Sequence, residues 1–96
     1  MTFEWDGAKN RANIKKHGFD FADAEEMFRG AILIRPDTRD DYGEPRWIGI
    51  GMIQSRVGFV AFTERDETIR IISLRKATYE ERKEYEAAVQ NGLEAH

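Results

Sequence analysis

Apolar and polar positions along the chain change period from segment to segment, and each period predicts an element. "TFEW", residues 2–5, alternates and holds two aromatics, as a short strand does. Asp6 stands where a helix N-cap is wanted and Gly18 where a helix stops, predicting a helix from Gly7 to His17. Its apolar positions are only Ala8, Ala12 and Ile14, while Lys9, Arg11, Lys15 and Lys16 make most of it basic. "FADAEEMF" predicts a second helix capped by Asp20, with Phe21, Ala24 and Phe28 at i, i+3 and i+7 facing inward. "AILIR", "RWIGIGMI", "VGFVAFTE" and "TIRIISLR" are strand-forming runs. The polar loop "PDTRDDYGEP" separates the first two, and the tight turns "QSR" and "RDE" join the rest. Thr78 and Glu81 form a T-x-x-E capping box that opens a last helix running to about Val89, with Tyr85, Ala88 and Val89 inward.

The predicted fold class is therefore α+β: an antiparallel β-sheet with two N-terminal helices and one C-terminal helix, in the order βααββββα. Residues 1–90 form one domain and 91–96 a C-terminal tail; the 96-residue length suits a single modest core. Alternation along 68–75 puts Ile69, Ile71, Ser73 and Arg75 on one face and Arg70, Ile72 and Leu74 on the other. Trp5 and Trp47 are expected in the core, and Gly49 and Gly51 allow close packing within a strand.

Charge and composition narrow the chemistry. The net charge is −3, so no global field draws nucleic acid or an acidic membrane, and an anion site must be a local patch. The absence of cysteine removes disulfides and thiol catalysis and fits a cytoplasmic setting. No apolar run approaches the roughly 18 residues that span a bilayer. With His17 and His96 the only histidines, a multi-histidine zinc site is excluded. The acids Asp37, Asp40, Asp41 and Glu44 miss the calcium-loop spacing, and Arg39 stands where a ligand is wanted. No nucleophile motif surrounds Ser55 or Ser73. Neither a metal nor a cofactor is expected.

What remains is a set of cations near strand ends and one internal histidine. A regular meander brings Arg46 near Glu64, which forms either a phosphate-binding cluster or an exposed cross-strand ion pair. His17 ends its helix, where the dipole favours the protonated form; it serves either as a general acid or base or as a simple cap partner. These residue types suit metal-free RNA cleavage, which needs a base for the 2′-OH, an acid for the 5′-oxygen and cations for the phosphorane charge.

"KHG" at 16–18, "DTRDDYGEPRW" at 37–47 and "IRIISLRKAT" at 69–78, within a likeness covering residues 3–86, resemble the BrnT toxin family. The resemblance implies a RelE-like fold and a ribonuclease toxin of a type II toxin–antitoxin system. Its implied partners are an RNA substrate and a BrnA-like ribbon-helix-helix antitoxin, with operator DNA reached only through that antitoxin and no membrane. It also implies roles: Arg75 on the scissile phosphate, Arg46 and Arg65 as supporting cations, and His17 or Glu64 in proton transfer. Lys16, Arg70 and Lys76 are the implied RNA contacts. The negative net charge departs from what an RNA-cutting enzyme gains from a basic field. The alternative function is a non-catalytic module that binds nucleic acid or the antitoxin.

Overall fold

The computed structural model describes residues 1–93; positions 94–96 of the expected tail lie outside the described residues. The chain runs β1 (Thr2–Trp5), α1 (Gly7–His17), a 3-10 turn (Phe21–Ala24), α2 (Glu25–Arg29), β2 (Ile32–Pro36), β3 (Trp47–Ile53), β4 (Arg56–Arg65), β5 (Thr68–Lys76) and α3 (Tyr79–Gln90). The expected second helix is thus split into a 3-10 turn and a short α-helix. Asp20 accepts from the Ala22 amide at 2.9 Å, capping two residues downstream as a tight turn requires.

The strands form one sheet in the order β1-β5-β4-β3-β2. β2 to β5 make the antiparallel meander, but β1 pairs with β5 in parallel, so the sheet is mixed rather than antiparallel throughout. Tight hairpins dictate antiparallel neighbours; β1 reaches β5 through the rest of the chain and has no such constraint. No helix of the described residues is long and apolar enough to cross a membrane.

Each face of the sheet carries a core. On one, Phe19, Phe21, Ala24, Met27 and Phe28 pack against Ile32, Ile53, Val60, Phe62, Ile69, Ile71 and Leu74. On the other, Ile48, Ile50 and Phe59 meet Tyr85 of α3. Tyr85 is fixed at its far end, where its hydroxyl donates to the Ala31 carbonyl at 2.9 Å. Val89 does not join this core; it is 43% exposed, because the inward line of α3 runs through Glu81, Tyr85 and Ala88. Gly49 does permit close packing: a Cβ there would lie 2.8 Å from Ile32 Cδ1 and 3.0 Å from Val60 Cγ1.

β5 departs from strict alternation. Ala61 opposes Ser73 while Phe62 opposes Ile71, so Ile72 is an extra residue in the ladder, a bulge. Ile69, Ile71 and Leu74 consequently all reach the first core, and Arg75 turns to the face of Phe59. The expectation that Arg75 shares a face with Ile69 and Ile71 fails for this reason.

α1 buries polar rather than apolar residues. Ile14 is 40% exposed, and the inward line is Asn10, Asn13 and His17. β1 pairs with β5 only as far as Ile71, so the outer edge of β5 beyond it lacks a strand. Asn13 fills the gap: its amide donates to the Leu74 carbonyl at 2.8 Å and accepts the Leu74 N–H at 3.1 Å. The same amide nitrogen donates to the Phe19 carbonyl at 3.0 Å. A side-chain amide thus does what the peptide of a neighbouring strand would do. Leaving the buried Leu74 groups unsatisfied costs about 1–3 kcal/mol each. We expect Asn13→Ala to destabilise the fold by about 3 kcal/mol, read as a lowered urea midpoint; a change under about 1 kcal/mol would refute this role for the amide.

Candidate active site

The short link between β5 and α3 places a cation, Arg75, beside its own carboxylate. Only Ala77 and Thr78 separate Lys76 from the first residue of α3. Thr78 caps the helix through its side chain, and Glu81 completes the box by accepting the Thr78 N–H at 2.9 Å. The same carboxylate holds Arg75 end-on, from Nη1 to Oε1 at 2.8 Å and from Nη2 to Oε2 at 3.0 Å. Arg75 lies over Phe59, with its guanidinium carbon 3.9 Å from the ring centroid. Of its five N–H hydrogens, two serve Glu81 and one the Lys76 carbonyl at 3.2 Å. The Nε–H and one Nη2 hydrogen have no protein partner among the described residues, and they form the edge that a phosphate oxygen would accept from.

Burial by itself raises the Glu81 pKa, but the Arg75 hydrogen bonds, the Thr78 amide and the Arg75 charge outweigh it, and the net shift is downward. His17 moves the opposite way from the sequence expectation. Its partial burial, then the charges of Lys16 and Arg75, lower its pKa below 6.5. The imidazole is therefore mainly neutral at pH 7 despite its place at a helix C-terminus. It can take a proton from a substrate hydroxyl rather than give one.

A second guanidinium reaches the same ring. Arg39, in the loop between β2 and β3, lies 5.2 Å from the Phe59 centroid and is gripped by Asp37 through two bonds of 2.8 Å. Asp37 is buried rather than a solvated turn residue, and Arg39 holds its carboxyl below the usual range. Phe59 thus sits under two cations, each held by its own carboxylate.

The other expected site residues lie elsewhere. Arg75 opposes Phe59, whereas Glu64 and Arg65 oppose Ile69 and Thr68 at the far end of β4. Five residues of strand put Glu64 roughly 17 Å along the sheet from Phe59. Glu64 also shares the face of Phe62 and Ile69, opposite to Arg75, and lines an acidic concavity with Asp66 and Glu67. Arg70 pairs with Glu4 at 3.4 Å across the β1–β5 ladder. Arg65 and Arg70 line a small hollow with Glu4 and Glu44, whose acids offset them. Arg46 precedes the Trp47–Phe62 pair, so it belongs to that same far end. It stacks on Tyr42 at 3.9 Å, with its Nε buried and without a partner, and no ion pair joins it to Glu64. The structure puts His17 within electrostatic reach of Arg75, with Lys16 and Lys76 beside them in the chain, and leaves Arg46, Glu64, Arg65 and Arg70 apart.

Sequence reasoning passed over Glu81, Phe59 and Arg39. Glu81 was visible as a helix cap, but its second role depends on Arg75 facing α3, which the bulge decides. Arg39 stood out only as a residue that spoils a calcium loop. Among the described residues, no three His, Cys, Asp or Glu side chains gather as metal ligands would.

The family model described as ribonuclease toxin, BrnT, of type II toxin–antitoxin systems matches residues 5–81. The chain belongs to the BrnT family. Similar to it is the Brucella abortus ribonuclease toxin BrnT, known from a 1.1 Å crystal structure. The two share 33% identity with a TM-score of 0.67, over 81% of this chain and 97% of that one. Among curated proteins none matches the chain. The stretch that matches the BrnT model runs from the end of β1 to Glu81, and so includes His17, Arg75 and the carboxylate that holds it.

The Glu81 shift carries a sign that can be checked in this BrnT-family chain. A carboxyl whose folded pKa is lowered stabilises the fold fully above its unfolded value, near 4.5, and the contribution is lost as pH falls through the folded value. Glu81→Gln should therefore show a shallower loss of urea midpoint below about pH 4.5 than the wild type. Parallel acid profiles for the two proteins would contradict the assignment.

Proposed function

We propose that this BrnT-family chain is a metal-independent endoribonuclease on a RelE-like fold. It acts in the cytoplasm to arrest growth and is neutralised by a BrnA-like ribbon-helix-helix antitoxin, through which alone the pair meets operator DNA. One observation carries the catalytic part: Arg75 is held by Glu81 and Phe59 with an N–H edge left over, and a neutral His17 lies within the field of its charge.

RNA brings its own nucleophile. His17 takes the proton of the 2′-OH as O2′ bonds to phosphorus; the P–O5′ bond breaks, and the leaving oxygen takes a proton from solvent. The products are a 2′,3′-cyclic phosphate and a 5′-hydroxyl. The phosphorane adds negative charge to the non-bridging oxygens, and Arg75 meets it with a guanidinium that needs no reorganisation. A fixed cation in a partly buried site supplies what a metal would otherwise supply, so the reading requires none. Lys16 and Lys76, both exposed, flank this pair and hold the strand by its backbone.

Cleavage of mixed-sequence RNA by the purified protein should persist in excess EDTA, and Arg75→Ala, folded by circular dichroism, should lose about 100-fold or more in rate. RNA binding without cleavage by the wild type would put the non-catalytic module in its place. The pH profile tests His17 separately. The acid limb of kcat/KM should fall below pH 6.5, because the base form is lost as pH drops through the lowered His17 pKa. Lys16→Ala removes one of the charges that lower this pKa, so the limb should move up towards 6.5. An acid limb that stays in place would remove His17 from the role of base.

A further inference from the structure

The hairpin tip between β3 and β4 faces the start of α3 across a groove of which the mechanism uses only Lys76. Met52, Ser55 and Arg56 line one wall, and Lys76, Tyr79 and Arg82 the other, around about 490 Å³ of open space. No carboxylate lines it, in a chain whose net charge is −3. Among the described residues none of the three cations takes part in an ion pair, whereas Arg29, Arg35, Arg39, Arg70 and Arg75 all do. Tyr79 is 61% exposed, with the Arg82 guanidinium carbon 5.6 Å and the Lys83 ammonium 5.7 Å from its ring.

The hairpin wall is held in place. Gln54 and Ser55 both adopt left-handed backbone, at φ 50° and 65°, where glycine would be easier. The turn is pinned from behind: the Gln54 N–H donates to Glu26 at 3.1 Å and its side-chain amide to Asp23 at 3.1 Å. Arg56 reaches the groove's rim from the first-core face of the sheet, where its guanidinium lies over Phe19 at 4.5 Å and donates to Gln54 Oε1 at 3.4 Å. The groove adjoins the candidate active site through α3, where its lining residues Tyr79 and Arg82 flank Glu81, the carboxylate that holds Arg75.

We propose that this groove binds the single-stranded RNA next to the cleaved phosphate, with Arg56, Lys76 and Arg82 on backbone phosphates and a base stacked on Tyr79. The proposal rests on the ribonuclease reading for the identity of its ligand. A groove lined by cations and no acid matches a phosphate backbone, and an exposed aromatic ring among them offers a face that every base can stack on. An acidic peptide would use the cations and have no need of the ring.

The test uses the full-length Arg75→Ala protein and a short, fluorescein-labelled 2′-O-methyl RNA, which has no free nucleophile. Adding Tyr79→Ala should weaken binding about tenfold and leave its salt dependence unchanged. Tyr79→Phe keeps the ring and should bind as the parent does. Arg82→Gln should reduce the slope of log affinity against log salt by about 0.7, one phosphate contact on a single strand. Equal affinity of Tyr79→Ala and Tyr79→Phe would overturn the proposal, as would loss of antitoxin binding in these variants with RNA binding intact. Cleavage by the otherwise wild-type chain is scored separately. Cleavage without any effect of Tyr79 on binding sinks the groove and keeps the nuclease; Tyr79-dependent binding without cleavage keeps the groove and sinks the nuclease.

Discussion

The contact between Asn13 and Leu74 is the constraint on which the functional end of the molecule depends. β5 runs on past the end of β1, and the overhang carries Arg75. An edge strand with unpaired N–H and C=O groups in a buried place is not a stable arrangement. Asn13 closes that edge with one donor and one acceptor, and α1 is thereby set against β5. Asn10, one turn earlier, accepts the Phe21 N–H at 2.8 Å and donates to Asp20 at 3.0 Å, so the chain leaving α1 is tied as well. His17, one turn later on the same side, then has little choice but to lie near Arg75. The thin apolar stripe of α1 is explained by this: the helix docks through amides, because what it covers is a strand edge rather than a greasy face.

The negative net charge is compatible with the proposed anion site because of where the acids are. Glu81 and Asp37 are spent on holding guanidinium groups against Phe59. Glu64, Asp66 and Glu67 gather at the far end of the sheet. Screening over about 10 Å at physiological salt makes such distant charges matter little to a phosphate at Arg75. A cation fixed by its own carboxylate also loses little side-chain freedom on meeting a phosphate, which favours geometry over raw attraction.

Much of the fold was legible in the residues. Asp6 and Gly18 bound α1, the Thr78–Glu81 box opens α3, and Phe21, Ala24 and Phe28 are buried, all as local pattern predicts. These features are written in neighbouring residues, so the chain displays them without a tertiary context. The parallel pairing of β1 was not legible, because it joins residues more than sixty positions apart with no turn to set direction. The site was legible in residue type and only partly in grouping. Arg75 and His17 could be singled out, and the meander set Arg46 and Glu64 at one end of β3 and β4, but only the family resemblance grouped Glu64 with Arg75. The ladder register instead puts it on the opposite face and far along the sheet.

The sequence by itself determined the elements, their caps, the capped start of α3 beside a strand that ends in Arg75-Lys76, and the kinship carried by "KHG", "DTRDDYGEPRW" and "IRIISLRKAT". Only the tertiary structure decided which of the charged residues meet. One bulged residue, Ile72, reverses the face of everything after it on β5, and periodicity cannot reveal an insertion that its own count takes as regular. That single residue sends Arg75 to Phe59 and Glu81, while the side-chain amide of Asn13 sets α1, and His17 at its end, against β5. Both depend on contacts between residues distant in the chain, whose energies local pattern does not contain.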